Sequence, residues 1–185
     1  MLEISREFVF QWSTEYDKHF DESEEVRVER DIRQWLAQQP EPKYLNKEYF
    51  VKLGWWKARR QIENYKANDK NLVEEGTQLA YETSNEQIKL HILKVLKGVQ
   101  VPVASTILHF LQPDDFPIFD IHVRKSLKKA GKWDMDVNDV SDGAWRNYVA
   151  LMRELSEHLG VSLRELDKAL WAYDKWGKEE LCVLS

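Results

Sequence analysis

Apolar residues recur every three or four positions along most of this chain, the period that places them on one face of a helix. Between Glu22 and Gln38 they are Val26, Ile32, Trp35 and Leu36, and Pro40 and Pro42 end that run. Asn46 to Lys66 reads as a second long helix, and Asp69 to Thr83 as a third. Ser84 and Gln87 have the spacing of a capping box, in which a Ser oxygen and a Gln side chain satisfy the exposed amides of a helix start. The helix they open would bury Ile88, Ile92, Val95 and Leu96. Gly98 falls just past it, where a residue tolerant of positive φ ends a helix most easily. Pro102 suits the first turn of the next helix, since its missing N–H is no loss there. Val103, Ile107, Phe110 and Leu111 give that helix a buried face, and Pro113 and Pro117 stiffen the loop after it. Asp120 then stands just before Ile121, Val123 and Leu127. Trp145, Val149, Met152, Leu155 and Leu159 line one side of a helix over Ala144 to Leu159, which Gly160 ends. Ser162 and Glu165 form a second capping-box pattern, opening a last helix that buries Leu163, Leu166, Leu170 and Tyr173. The expectation is an all-α fold of about eight to ten helices, with Lys97 to Val101 as a tight turn between two of them.

Length allows one helical domain over residues 1–185, or two lobes sharing a core. The single Cys182 excludes disulfides and cysteine-rich metal sites within the chain. The N-terminal MLEISREFVF has no basic region followed by a long apolar run, so a signal peptide is not expected, and no apolar run is long enough to span a membrane. A reducing, cytoplasmic setting and a monomer are expected. The net charge of −5 argues against a general nucleic-acid binder. Charge is unevenly placed, however: Arg124, Lys125, Lys128, Lys129 and Lys132 fall in one stretch without an acid. Such a local basic face can hold phosphate even on an acidic protein. The run WWKARR, Trp55 to Arg60, interleaves aromatic and basic residues. Adjacent Trp side chains point about 100° apart on a helix, so the run is either a stacking platform or one core Trp beside solvated charges. No carboxylate or His pair has metal-ligand spacing, and His109 and His122 read as structural or solvated.

LKGVQVPVASTIL, Leu96 to Leu108, resembles the hairpin of the helix-hairpin-helix DNA glycosylases, roughly Leu-x-Gly-Val-Gly, three residues, then Ala. FPIFDIHVRKSL, Phe116 to Leu127, resembles the segment that carries the catalytic Asp of that superfamily. The motif spans 93–127, with a looser likeness over 69–175. The resemblance implies a helix-hairpin-helix DNA-glycosylase-like fold and DNA as partner. It implies base excision repair chemistry, the cleavage of a damaged or modified base from its sugar. Asp120 would be the catalytic carboxylate, stabilising positive charge that develops on the sugar. Gly98, Val99, Gln100 and Val101 would grip a phosphate through backbone N–H groups at a helix start, helped by Arg124, Lys125, Lys128, Lys129 and Lys132. In the family a monovalent cation often sits at that turn; no other cofactor and no side-chain metal site is implied. Trp55, Trp56, Tyr81 and Phe119 are candidate walls for an extruded base. Two departures matter. Gln100 replaces the second hairpin Gly. Pro102 stands where bifunctional members carry a Lys nucleophile, so a monofunctional enzyme is implied. The alternatives are a non-catalytic helix-hairpin-helix module that binds nucleic acid and a helical interaction protein. In both, Asp120 is only an N-cap and Gly98 only a C-cap.

Overall fold

A computed structural model describes residues 2–177; Cys182 lies outside the described residues. Among these there are ten α-helices and no strand. The chain divides into two compact units, one of Glu22–Phe116 and one of Met1–Asp21 with Pro117–Ser185.

In the Glu22–Phe116 unit the helices are α2 (Glu24–Ala37), α3 (Lys47–Ala58), α4 (Ile62–Lys66), α5 (Lys70–Glu82), α6 (Glu86–Lys94) and α7 (Val101–Leu111). Ser23, Asn46, Asp69 and Asn85 cap α2, α3, α5 and α6, each accepting a first-turn N–H. The core is organised around α7, which packs against α2, α3, α5 and α6. All of α7 except Pro102 is buried, so its polar residues find partners inside. Ser105 and Thr106 hydroxyls both donate to the Pro102 carbonyl at 2.8 Å. Arg33 reaches His109 Nε2 at 3.0 Å, and His109 Nδ1 lies 2.7 Å from the Phe116 carbonyl. A guanidinium only donates, so Nε2 is the acceptor and Nδ1 carries the proton. His109 is thus structural.

Two expectations are corrected here. The helix expected over Asn46 to Lys66 breaks after Ala58, passes through a 3₁₀ turn at Arg59–Gln61 and resumes as α4. The fold-back lays the Tyr65 ring directly on Gly54, so close that any Cβ there would collide. That contact joins positions on either side of the break and leaves no mark in the helical period. Likewise α6 is capped by Asn85, not Ser84. Its buried side is Leu90 and Leu93, joined by Leu96, while Ile88 and Val95 are 49% and 66% exposed. Lys89 explains the shift. Its ammonium donates to the Ala80 and Tyr81 carbonyls at 2.8 and 2.9 Å and to Gln112 Oε1 at 2.8 Å. A fully satisfied lysine occupies a position that polarity alone assigns to solvent.

The other unit holds α1 (Arg6–Phe20), α8 (Ile121–Lys129), α9 (Asp142–Leu159) and α10 (Leu163–Trp176). The helix α1, which sequence pattern left unassigned, packs along α10. Phe8 and Trp12 meet Tyr173 edge-on at 5.4 and 5.3 Å, and Tyr16 meets Trp171 at 5.5 Å. Gly160 ends α9 at φ 62°, and the Ser162–Glu165 capping box forms as its spacing predicts. Ser126 ties α8 to α10 by donating to the Leu170 carbonyl at 2.7 Å. None of the described helices is long and apolar enough to cross a membrane.

Candidate functional site

The hairpin lies between α6 and α7. Gly98 has φ +84°, a left-handed backbone that favours glycine. A Cβ added there would stand 2.8 Å from Tyr65 Cε1. Tyr65, fully buried, therefore packs tightly against both Gly54 and Gly98. Asn68 fixes the turn from the same side. Its Oδ1 accepts the Lys97 N–H at 2.7 Å and its Nδ2 donates to the Lys97 carbonyl at 3.0 Å. Asn68 also donates to the Asn64 and Tyr65 carbonyls, at 3.0 and 3.1 Å, so the end of α4 and the hairpin turn share one side chain. Gln100 is the N-cap of α7, in extended conformation, and its side chain makes no capping bond. Pro102 has no N–H and the Val103 N–H donates to the Gln100 carbonyl at 2.9 Å, so in the first turn of α7 the Val101 N–H is the amide left at the positive end of the helix dipole. Val99 and Val101 are buried and Gln100 is exposed. Val99 and Val101 can therefore offer a ligand only backbone.

Asp120 is the N-cap of α8, accepting the His122 N–H at 2.9 Å. It is neither fully buried nor fully exposed. Arg124 corrects an expectation. It is 2% exposed and turned inward, its guanidinium carbon 4.0 Å from the centre of the Phe119 ring. Its Nη1 donates to the Asp139 carbonyl at 2.5 Å and its Nε to the Asp120 carbonyl at 3.4 Å. Burial pushes its pKa down. A side chain so engaged holds the loop before α9 and does not present itself to a phosphate. Phe119 is corrected too: it is fully buried, edge-on to Tyr148 at 5.1 Å, and is core rather than an open wall. Trp55 is half-buried, with the Arg59 guanidinium 4.1 Å over its ring, and Trp56 meets Phe110 edge-on at 5.6 Å. Tyr81 has its pKa pushed up to about 12, first by a hydrogen bond with Glu41 and then by burial.

The remaining basic residues separate. Lys125, Lys128 and Lys129 line an open basin of about 660 Å³ with His122, Asp174 and Lys175; Lys132, beyond α8, does not. Asp174 is the carboxylate of its lining, with Oδ2 2.8 Å from His122 Nδ1 and Oδ1 2.6 Å from Lys129 Nζ. Burial raises the Asp174 pKa, but the hydrogen bonds from Lys129 and His122 outweigh it and hold the carboxyl below its ordinary value. Sequence reasoning missed Asp174 and Lys175 because both come from α10, some 50 positions from the basic run.

No protein-family model matches the chain, and no curated protein matches it. A solved structure does. It is a Methanocaldococcus jannaschii 8-oxoguanine glycosylase/lyase in complex with a 15mer DNA containing 8-oxoguanine. The two are 19% identical with a TM-score of 0.50, over 93% of this chain and 82% of that one. The fold is all-helical and glycosylase-like. In this glycosylase-like frame the hairpin lies in the Glu22–Phe116 unit, while Asp120 and the lysine basin belong to the other.

Proposed function

We propose that the chain is a monofunctional DNA glycosylase that releases a damaged or modified base. The observation that carries the reading is the hairpin. Gly98 at φ +84° is clamped by Asn68 and Tyr65 and opens a helix whose N-cap side chain makes no bond. A turn so fixed at the start of an eleven-residue helix suits a phosphate, because the amides need not rearrange to meet it. The glycosylase-like fold supplies the context.

In this reading the duplex is held at the hairpin by backbone N–H groups, and the target base leaves the stack. Asp120 faces the sugar as the glycosidic bond lengthens, and its charge opposes the charge growing on the ring. The same carboxylate orients the attacking water. Pro102 has no amine to attack the sugar. Lys89, the buried lysine of this unit, donates to three oxygens and is tied in the core. In this reading no lysine intermediate forms and the strand stays intact. A monovalent cation at the turn would take the Leu96 and Lys97 carbonyls. These accept one bond each, from the Val99 N–H and from Asn68, and keep a second lone pair.

A second reading is the non-catalytic helix-hairpin-helix module, favoured by the bond from His122 N–H that makes Asp120 a sufficient helix cap. Product analysis on a panel of lesion-bearing duplexes separates the two. The proposal expects free base, abasic DNA with intact strands and no borohydride-trapped adduct. A trapped adduct would assign the chemistry to a lysine, and no release on any lesion would leave the binding module.

A further inference from the structure

The basin on α8 and α10 holds four ammonium groups and one carboxylate. We infer that it is a second DNA-backbone site, in which Lys125, Lys128 and Lys175 meet phosphodiesters while Asp174 withholds Lys129. This rests on the reading of the protein as a DNA-binding glycosylase and names a second set of groups with which it holds DNA.

Three observations support it. First, the pairing is unequal. Both Asp174 oxygens are taken, one by Lys129 and one by His122, and Asp174 is only 9% exposed. Among the described residues Lys125, Lys128 and Lys175 have no carboxylate within ion-pair distance. A phosphate at Lys129 would have to compete with a close, partly buried pair, whereas the other three have no such pair to break. Second, placement brings the three together. Lys125 and Lys128 are three apart on α8 and so neighbours on one helix face, and Lys175 comes from the packed helix α10. The Lys175 ammonium sits 5.3 Å over the Trp171 ring, which steadies its stem while the charge stays outside. Third, the basin's chemistry selects the ligand. Lysines are flexible point charges without fixed bidentate geometry, and the basin is open, with four of its seven described lining residues lysines. That suits a run of phosphates. On a chain of net charge −5, such a concentration of positive charge attracts a polyanion locally.

The test is the salt dependence of binding by the full chain to an undamaged duplex, followed by fluorescence anisotropy. Each phosphate neutralised adds about one to the slope of log affinity against log salt. Lys125→Gln, Lys128→Gln and Lys175→Gln should each lower the slope by about one, and the matching Arg variants should restore it. Lys129→Gln should lower it by clearly less. Lys18→Gln, which removes an exposed lysine of α1 paired with Glu15 at 2.6 Å, should leave it unchanged. Unchanged slopes in all three Gln variants would overturn the inference. So would a wild type that does not bind duplex at low salt, or full displacement of duplex by millimolar inorganic phosphate. Slopes that move as expected in a protein that releases no base would keep this site and remove the catalytic reading.

Discussion

Helices α7 and α8 both start at turns that are marked in the sequence, and they start in opposite ways. Asp120 caps α8 with its own carboxylate, so part of that helix's positive end is answered within the chain. The start of α7 has no side-chain cap. Its turn is instead fixed from behind, by a glycine that admits the Tyr65 ring and by an asparagine that holds both backbone groups of Lys97. The first arrangement satisfies a helix end; the second shapes one in which Pro102 has no N–H and Val103 donates to the Gln100 carbonyl, leaving the Val101 N–H for something outside. The contrast teaches that a helix start is readied for an external anion by withholding the cap while rigidifying the turn.

The contrast breaks most easily at Gly98. Gly98→Ala should cost about 1–2 kcal/mol for the left-handed backbone and a further amount on the order of 1–3 kcal/mol for crowding the Tyr65 ring. Thermal or urea unfolding measures it. A loss under about 1 kcal/mol would mean that the turn is not constrained as described.

Asn68→Ala comes next. It leaves the Lys97 N–H and carbonyl without their partner, an expected loss of about 1–3 kcal/mol. Faster amide exchange at Lys97, with little change in the core of α7, would place the effect at the hairpin. Uniform loss of protection across α7 would instead make Asn68 a general core residue.

These residues show what sequence made legible. Gly98, Pro102, Asp120 and the Ser162–Glu165 box act within a few positions of themselves, so spacing alone locates them. Asn68 acts 29 positions away on Lys97, Tyr65 acts on Gly54 and Gly98, and Asp174 acts 52 positions away on His122. No local pattern announces such contacts. For the same reason Arg124 looked like a phosphate ligand, although burial with backbone acceptors makes it structural. The tryptophans show the same ambiguity: WWKARR allowed either a stacking platform or a core Trp beside solvated charges, and Arg59 stacks on Trp55 within the chain itself.

At α8 the expected effects are smaller. Asp120→Ala should lower stability by about 1 kcal/mol and Asp120→Asn by almost nothing, because Asn caps as well as Asp. Equal losses in the two would show that the charge of Asp120, rather than its oxygen, supports the fold. The smallest effect is at acid pH. The Asp174 carboxyl has its folded pKa below the ordinary 3.8. Its contribution is therefore complete above 3.8 and is lost as pH falls through the lower folded value. Melting curves taken from neutral to strongly acid pH should fall more steeply for the wild type than for Asp174→Asn. Parallel curves would mean that the contacts with Lys129 and His122 do not stabilise the fold.

The most direct test of the account is single-turnover base release by the wild type and by Asp120→Asn, on a lesion that the wild type processes, with melting temperatures measured alongside. The account predicts equal melting temperatures and a rate reduced on the order of 100-fold or more. Undiminished release by the variant would contradict it, because the carboxylate at the start of α8 would then be a cap and nothing else.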